Sequence, residues 1–469
     1  MPERESFFSS FINFAFKQAI LHQKVLVLTA FLVLQSVIAD AQFYLEDSTD
    51  LNYSDDCRKP VPLVTDAMTL RLRMIAGAKE EVLISYFSTT EEPNPAQILG
   101  VLKEVAEKGV RVKFMVDHMN NKLSPNMMKY LGQLGVEIRF FNEPVLRNIF
   151  RIDRRMHDKL LIIDRQYLLV GGRNLDQKYF EPDLNVSGTF YDYDEMYAGE
   201  VARNAAEYFL ARWTSSWTTR ANQKRIVRLT QSEAQVEEFI LLEAQAQAAY
   251  NLRLSQNRDK SLETMISGSC SSVEFVSNRP KRRRRCRDVE KAFISEIDKA
   301  RHTVDLQNAY ILFTRPFKIS IRNALDRGVK VRVLSNSLQS FDIPVFYGSY
   351  LNLRPKLLRW GVEIHEFKKA QTMHSKTAII DSFTTLVGSF NLDPRSAKRN
   401  SETMVIARDS AAALSLTQYF ENTQANSWKI LPDGMPEGET ERHPDTKFGK
   451  RLKVTLWRFT IGPLVRDFM

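Results

Sequence analysis

Two short stretches hold the residues best suited to chemistry. Met156 to Asp164 reads MHDKLLIID, and Met373 to Asp381 reads MHSKTAIID. Each has His, one spacer, Lys, four mostly apolar residues and Asp: His157, Lys159 and Asp164 in one, His374, Lys376 and Asp381 in the other. In an extended strand, residues two apart share a face, so the His and Lys of each copy point the same way. One such strand is weak, because a lone histidine on a strand is more often a satisfied structural residue. Two copies are harder to explain by packing. Each is followed by a small-residue turn and an asparagine, Gly171-Gly172-Arg173-Asn174 and Gly388-Ser389-Phe390-Asn391. Glycine there lets the backbone approach a ligand closely. Each copy then reaches an acidic residue on a further strand, Asp194-Glu195-Met196 and Ser401-Glu402-Thr403.

Duplicated units tend to associate about a pseudo-twofold axis. That arrangement sets His157 opposite His374 across one shared cleft, lined by Lys159, Lys376, Asn174 and Asn391. Two ammonium groups and two amides suit a tetrahedral anion, so a phosphoryl group is the natural guest. One histidine can attack phosphorus while the other protonates the departing alcohol and later deprotonates the incoming one. Each imidazole then needs a carboxylate to accept its Nδ1 proton. Glu195 and Glu402 are the candidates. Asp164 and Asp381 complete the pattern and count with the candidate catalytic set. Because they close an apolar strand, they read as structural, bonding a turn or the lysine strand. No cluster of carboxylates or thiolates is arranged for a metal, and no cofactor is expected.

The elements around these motifs also repeat. EVAEKGVRVKFMVD (104–117) is matched by NALDRGVKVRVLSN (323–336), and LGQLGVEIRFF (131–141) by LLRWGVEIHEF (357–367). Each unit is an amphipathic helix, a stopping glycine and an alternating strand. Repeated helix–glycine–strand units predict an α/β fold: two tandem domains, each a mostly parallel or mixed sheet flanked by helices. The expected divisions are residues 62–218 and 272–430, joined by a helical connector over 219–271 and followed by a tail over 431–469.

The chain has 469 residues, 43% of them apolar and 10% aromatic, enough for a packed core and too many for disorder. Lysine and arginine number 66 against 56 acidic residues, a net charge of +10, which favours polyanionic partners. Residues 25–38, VLVLTAFLVLQSVI, are too short for a comfortable membrane span and precede Ala39-Asp40-Ala41. Residues 1–41 thus read as an export signal, with an inner-membrane anchor over 20–40 as the alternative, and a peripheral place at the cell envelope follows. Cys57, Cys270 and Cys286 make an odd count, which fits no disulfide framework, although Cys270 and Cys286 can pair across a short loop. The basic run 280–287 and the mixed apolar and basic tail 447–469 are candidate contacts for an anionic membrane. Tyr347 and Tyr350, in the segment before the second motif, are candidate lipid contacts.

The doubled His-x-Lys-x4-Asp motif resembles that of the phospholipase D superfamily, and the likeness covers about Val64 to Asp409. It implies a phosphodiester-cleaving enzyme with a phosphohistidine intermediate and no metal, one chain completing one site. His157 would be the nucleophile and His374 the general acid. Longer stretches, VGGRNLDQKYF (170–180), VGSFNLDPRSAKRNSE (387–402) and 335–367, are similar to bacterial cardiolipin synthases. That likeness implies transfer of a phosphatidyl group to phosphatidylglycerol, with phospholipids and a membrane surface as partners. Hydrolysis to phosphatidic acid is the alternative, and a metal-independent nuclease ranks third because nucleic acid is not the expected partner.

Overall fold

Strands that are apolar on both faces must be covered on both faces. VLI (82–84) and FMV (114–116) are such runs, and in the computed structural model they lie in the middle of a sheet, wholly buried. The structure describes residues 57–61, 64–144, 153–220, 272–278, 287–444 and 446–459. The expectations for residues 1–41, for most of the connector, for Cys270 and Cys286, for 280–286 and for 460–469 lie outside them. Among the described residues no helix is long and apolar enough to cross a membrane.

The first half runs β1 (Cys57–Val61), α1 (Val64–Ala76), β2 (Glu81–Tyr86), α2 (Pro93–Glu107), β3 (Arg111–Asp117), α3 (Pro125–Gln133), β4 (Val136–Phe141), β5 (Lys159–Ile163), β6 (Tyr167–Gly171), β7 (Phe190–Tyr191), β8 (Asp194–Ala198), α4 (Glu200–Trp213) and β9 (Thr218–Arg220). The second runs β10 (Val273–Ser277), α5 (Asp288–Lys299), β11 (Thr303–Asn308), α6 (Arg315–Asp326), β12 (Lys330–Asn336), α7 (Pro344–Arg359), β13 (Glu363–Phe367), β14 (Thr372–Met373), β15 (Lys376–Ile380), β16 (Thr384–Gly388), α8 (Pro394–Lys398), β17 (Thr403–Arg408), α9 (Ser410–Ala425) and β18 (Ser427–Ile430). A final helix, α10 (Phe448–Phe459), follows.

The two sheets repeat one plan. Their orders are β1-β8-β6-β5-β2-β3-β4-β9 and β10-β17-β16-β15-β11-β12-β13-β18. Within each, three strands are parallel (β2, β3, β4; β11, β12, β13) and the others pair antiparallel. The expected α/β duplication is therefore present. Gly109 and Gly328 stop their helices with φ of 93° and 83°, a region that residues with a Cβ avoid. The sheets reach a little beyond the expected divisions: β1 starts at Cys57 and β9 pairs with β4 as far as Arg220. All described residues belong to one compact unit, Ser54–Met469. Part of its core is shared between the halves: Leu160, Ile162, Val170 and Phe209 pack with Val405 and Ala407, and Tyr193 packs with Leu334, Phe367 and Phe420.

Asp164 and Asp381 are not in the cleft, which corrects their place in the catalytic set. Each sits at the hairpin that closes its motif strand, with φ of 51° and 52°. The Asp164 carboxylate accepts from the backbone N–H groups of Lys79, Glu80 and Glu81, each at 2.8 Å. Asp381 accepts from Arg301, His302 and Thr303 at 2.8, 2.7 and 2.8 Å. Each thus ties the motif hairpin to the start of the central strand β2 or β11. A short carboxylate both tolerates the left-handed turn and satisfies three donors that no ladder reaches. Burial works against the Asp381 charge, but the three backbone donors outweigh it and hold its carboxyl below the usual range. Its stabilising effect is therefore present above that range and is lost as pH falls through the lowered value. Asp381→Ala is expected to lower unfolding stability by about 1–3 kcal/mol while kcat falls less than about threefold. Denaturant melts and steady-state rates on one preparation check this, and a large loss of kcat with unchanged stability would return Asp381 to the chemistry.

Candidate active site

Strand alternation puts His157 and Lys159, and His374 and Lys376, on one face of each motif strand, and packing then fixes the backbone before each histidine. Asp117, at the end of β3, accepts from Met156 N at 3.1 Å. Asn336, at the end of β12, accepts from Met373 N at 2.8 Å. The same position in each half thus holds the methionine preceding the histidine.

The segments before the histidines also pair across the halves. His157 N donates to Ser401 O at 3.0 Å and Ser401 N to Arg155 O at 2.8 Å. Equivalently, β14 pairs parallel with β7, and His374 N donates to Tyr191 O at 2.7 Å. In each case the next residue along the opposite half is an acid. Glu402 Oε2 lies 2.9 Å from His157 Nδ1, and Asp192 Oδ2 lies 2.7 Å from His374 Nδ1. Each imidazole is oriented by a carboxylate from the other half.

Of the two expected carboxylates, Glu402 lies against His157 and Glu195 does not lie against His374. Glu195 lies on β8 and accepts from Tyr197 Oη at 2.7 Å, while Asp192 meets His374. The reason is register. Gly172 N bonds Tyr193 O as Ser389 N bonds Thr403 O, so Asp192, not Glu195, is the structural equivalent of Glu402. The segment YDYDE (191–195) offers three acids, and matching by residue type picks the wrong one. Asp194 instead binds the buried guanidinium groups of Arg71 and Arg173, at 3.0 and 2.9 Å, behind the site.

The small-residue turns now have a steric cause. A Cβ on Gly172 would stand 2.0 Å from Asp192 Oδ1, and one on Gly388 would stand 2.2 Å from Thr403 O. Ser389 uses its hydroxyl instead, donating to Glu402 Oε2 at 2.6 Å, and its carbonyl lies 3.0 Å from His157 Nδ1.

The four cleft side chains His157, Lys159, His374 and Lys376 are all buried. Lys159 Nζ donates to His157 O at 2.7 Å, and Lys376 Nζ lies 2.7 Å from His374 Nδ1 and also donates to His374 O. Burial, with Lys376 nearby, lowers Lys159 to about 7, and burial lowers Lys376 to about 8. Burial and the lysines lower His157 to about 4 and His374 to about 3, against the opposing pull of their carboxylates. Burial disfavours charge on Glu402, but His157, Lys159 and Ser389 outweigh it and hold the group ionised. Asp192 is likewise held ionised against burial, by Lys376 and His374. The cleft therefore holds two neutral imidazoles, each with Nδ1 against a carboxylate and Nε2 left for chemistry.

Asn174 and Asn391 are buried. Asn174 Nδ2 donates to Tyr179 Oη at 2.9 Å, and Asn391 Oδ1 has no hydrogen-bond partner. Aromatic walls escaped the sequence reading. Phe87 packs edge-on to His157 with ring centres 4.9 Å apart, and Tyr179 and Phe190 pack edge-on to His374 at 5.2 and 5.1 Å. Tyr347 and Tyr350 are not lipid contacts. Both are buried and bond Glu366, which also pairs with Arg354 at 2.7 Å. Among the described residues no three His, Cys, Asp or Glu side chains are grouped to hold a metal ion.

A family model described as cardiolipin synthase, phospholipase D-like domain, matches residues 72–213 and 293–424, together more than half of the chain. The chain belongs to this family. It is an enzyme of the phospholipase D superfamily, and the two matched segments are the two halves of the fold. Cardiolipin synthase C of Escherichia coli K12 is 25% identical over 450 residues, covering 85% of this chain and 93% of that one. An uncharacterized Helicobacter pylori protein is 25% identical over 429 residues, covering 82% and 85%. The crystal structure of phosphatidylserine synthase from Haemophilus influenzae superposes with a TM-score of 0.63 at 15% identity, covering 88% of this chain and 95% of that one, which shows a shared fold.

The crossed carboxylates make a clear prediction. Asp192→Ala is expected to lower kcat by roughly 10²-fold or more, whereas Glu195→Gln changes it less than about tenfold. Steady-state kinetics of the two variants check this, and equal losses would contradict the assignment of Asp192.

Proposed function

We propose that the protein is a phosphatidyltransferase of cardiolipin synthase type. The reading is carried by the two carboxylate-backed imidazoles facing one cleft with two buried lysines, and it is supported by the named relatives. His157 Nε2 attacks the donor phosphorus and forms a P–N bond as the P–O bond to the leaving alcohol breaks. His374 takes up a proton from solvent at Nε2 as the anionic donor binds beside it, and gives that proton to the departing alcohol. A hydroxyl of phosphatidylglycerol then gives its proton to His374 and attacks phosphorus, and the P–N bond breaks to restore His157. Lys159, Lys376, Asn174 and Asn391 hold the phosphoryl oxygens, whose charge grows in each transition state. Glu402 and Asp192 fix the tautomers and stabilise each imidazole as it gains charge. The enzyme works at a phospholipid surface of the cell envelope.

The deciding assay uses purified full-length protein, vesicles of phosphatidylglycerol with and without phosphatidylethanolamine, and mass spectrometry of the products. Cardiolipin that appears with intact protein and disappears with His157→Ala is the expected result. Phosphatidic acid without cardiolipin would make water the acceptor and the protein a hydrolase.

The lysines set a pH dependence. Both must carry their proton to hold the anion, so charge is lost as pH rises through about 7 and about 8. The lowered His157 keeps Nε2 free down to about 4. We expect kcat/KM to fall several-fold between about pH 7 and about pH 9 and to hold steady toward about pH 5. A profile that rises on the alkaline side would contradict the role given to Lys159 and Lys376.

A further inference from the structure

The last helix, α10, has a composition that its packing does not consume. From Lys447 to Phe459 the sequence KFGKRLKVTLWRF carries five Lys or Arg and no acidic residue. One side is seated on α7. Val454 is buried, Arg458 Nε donates to Asn352 Oδ1 at 2.9 Å, and a Cβ on Gly348 would stand 3.2 Å from Arg458 N. The other side exposes Phe448, Leu452, Leu456 and Phe459 by 79, 59, 60 and 70%. At 3.6 residues per turn these four fall within an arc of about 80°. Single exposed apolar residues need no explanation, but four large ones in one stripe mark an interaction surface.

The stripe lies beside the cleft. Lys450 Nζ donates to Gln339 O at 3.0 Å and to Phe341 O at 2.9 Å, tying α10 to the loop before α7. The next residue of that loop, Asp342, is exposed and accepts from Tyr310 Oη at 2.9 Å, and its charge acts on Lys376. The helix is therefore fastened to the segment that borders the phosphoryl site.

We propose that this face of α10 docks on an anionic phospholipid bilayer and brings the mouth of the cleft to its substrate. The inference rests on the lipid chemistry proposed above for the occupant's identity, and on α10 itself for the surface. Charge selects that occupant. An apolar stripe flanked by the exposed Lys447 and Lys453, with Arg451 paired to Glu441 at its edge, matches acyl chains below a negative headgroup layer, whereas a second copy of the same helix would oppose cation to cation.

The test uses the full-length chain with its three cysteines replaced by serine and an environment-sensitive fluorophore on Leu452→Cys. Vesicles of phosphatidylglycerol and phosphatidylcholine should shift its emission to the blue, with a much smaller shift for phosphatidylcholine alone. Leu452→Asp combined with Leu456→Asp should lower turnover on vesicles by about tenfold or more and leave monomeric short-chain phosphatidylglycerol turned over within about twofold. An unchanged melting temperature shows that the variant is folded. The fluorophore needs no turnover, so docking stands or falls apart from the chemistry. No shift on anionic vesicles overturns the proposal. So does a shift already present without lipid, which would mean that another segment or a second copy covers the face.

Discussion

The cleft depends on two short backbone pairings between the halves, Arg155–His157 against Ser401 and Thr372–His374 against Thr189–Tyr191. Each sets a histidine beside the acid that follows the opposite strand. Burying an imidazole, a lysine and a carboxylate together is costly unless every charge finds its counterpart. Here each counterpart is supplied by the other half. Separating the halves would leave Glu402 and Asp192 without His157 and His374 and would strip the shared apolar layer around Leu160, Tyr193 and Val405. Folding of each half is thus coupled to docking with the other, and the chemistry exists only in the joined state.

The same burial prepares the cleft for its guest. Buried together in a medium of low dielectric, the two lysines hold their protons loosely. A phosphoryl group that enters supplies the missing negative charge, raises both lysine affinities for protons and turns repulsion into attraction. Anion binding near neutral pH should therefore take up protons, by the linkage that lowers both lysines. A carboxylate in that position would neutralise the lysines permanently and remove the hold on a phosphoryl group proposed for them. The acids are instead held behind the imidazoles, where they act on Nδ1 and leave the front of the cleft to the cations.

Much of this was legible in the sequence because it is local. Helix–glycine–strand units, the alternation that sends His and Lys to one face, and the small-residue turns follow from backbone geometry, and the doubling of the motif implies a shared site. What was not legible depends on tertiary register. Asp192, Asp194 and Glu195 lie within four residues, and only the bond from Gly172 N to Tyr193 O decides which faces His374. Asp164 and Asp381 belong to the motif by spacing, yet their donors come from the turns before β2 and β11, some eighty residues away in sequence. Tyr347 and Tyr350 lie in the segment before the second motif, a place that suggests contact with substrate, but Glu366 draws both inward.

The halves are not identical where it matters, and the difference bears on the division of labour proposed for the histidines. In one half a short acid, Asp192, sits against Gly172, where any side chain would collide with it. In the other a longer acid, Glu402, sits beside Ser389, whose hydroxyl donates to it. One extra methylene on the acid is thus matched by an extra hydroxyl on the turn. The consequence reaches Nδ1. His157 Nδ1 lies between two acceptors, Ser389 O and Glu402 Oε2, which fixes its proton there and leaves Nε2 with a lone pair, as a nucleophile requires. His374 Nδ1 lies between an acceptor, Asp192 Oδ2, and the Lys376 ammonium. The adjacent cation weakens its hold on a proton, so a protonated His374 would be the stronger acid, as a group that must give its proton to a departing alkoxide requires. The proposed division of labour would rest on this one difference, a second acceptor at His157 Nδ1 and an ammonium at His374 Nδ1, between two nitrogens that each meet a carboxylate.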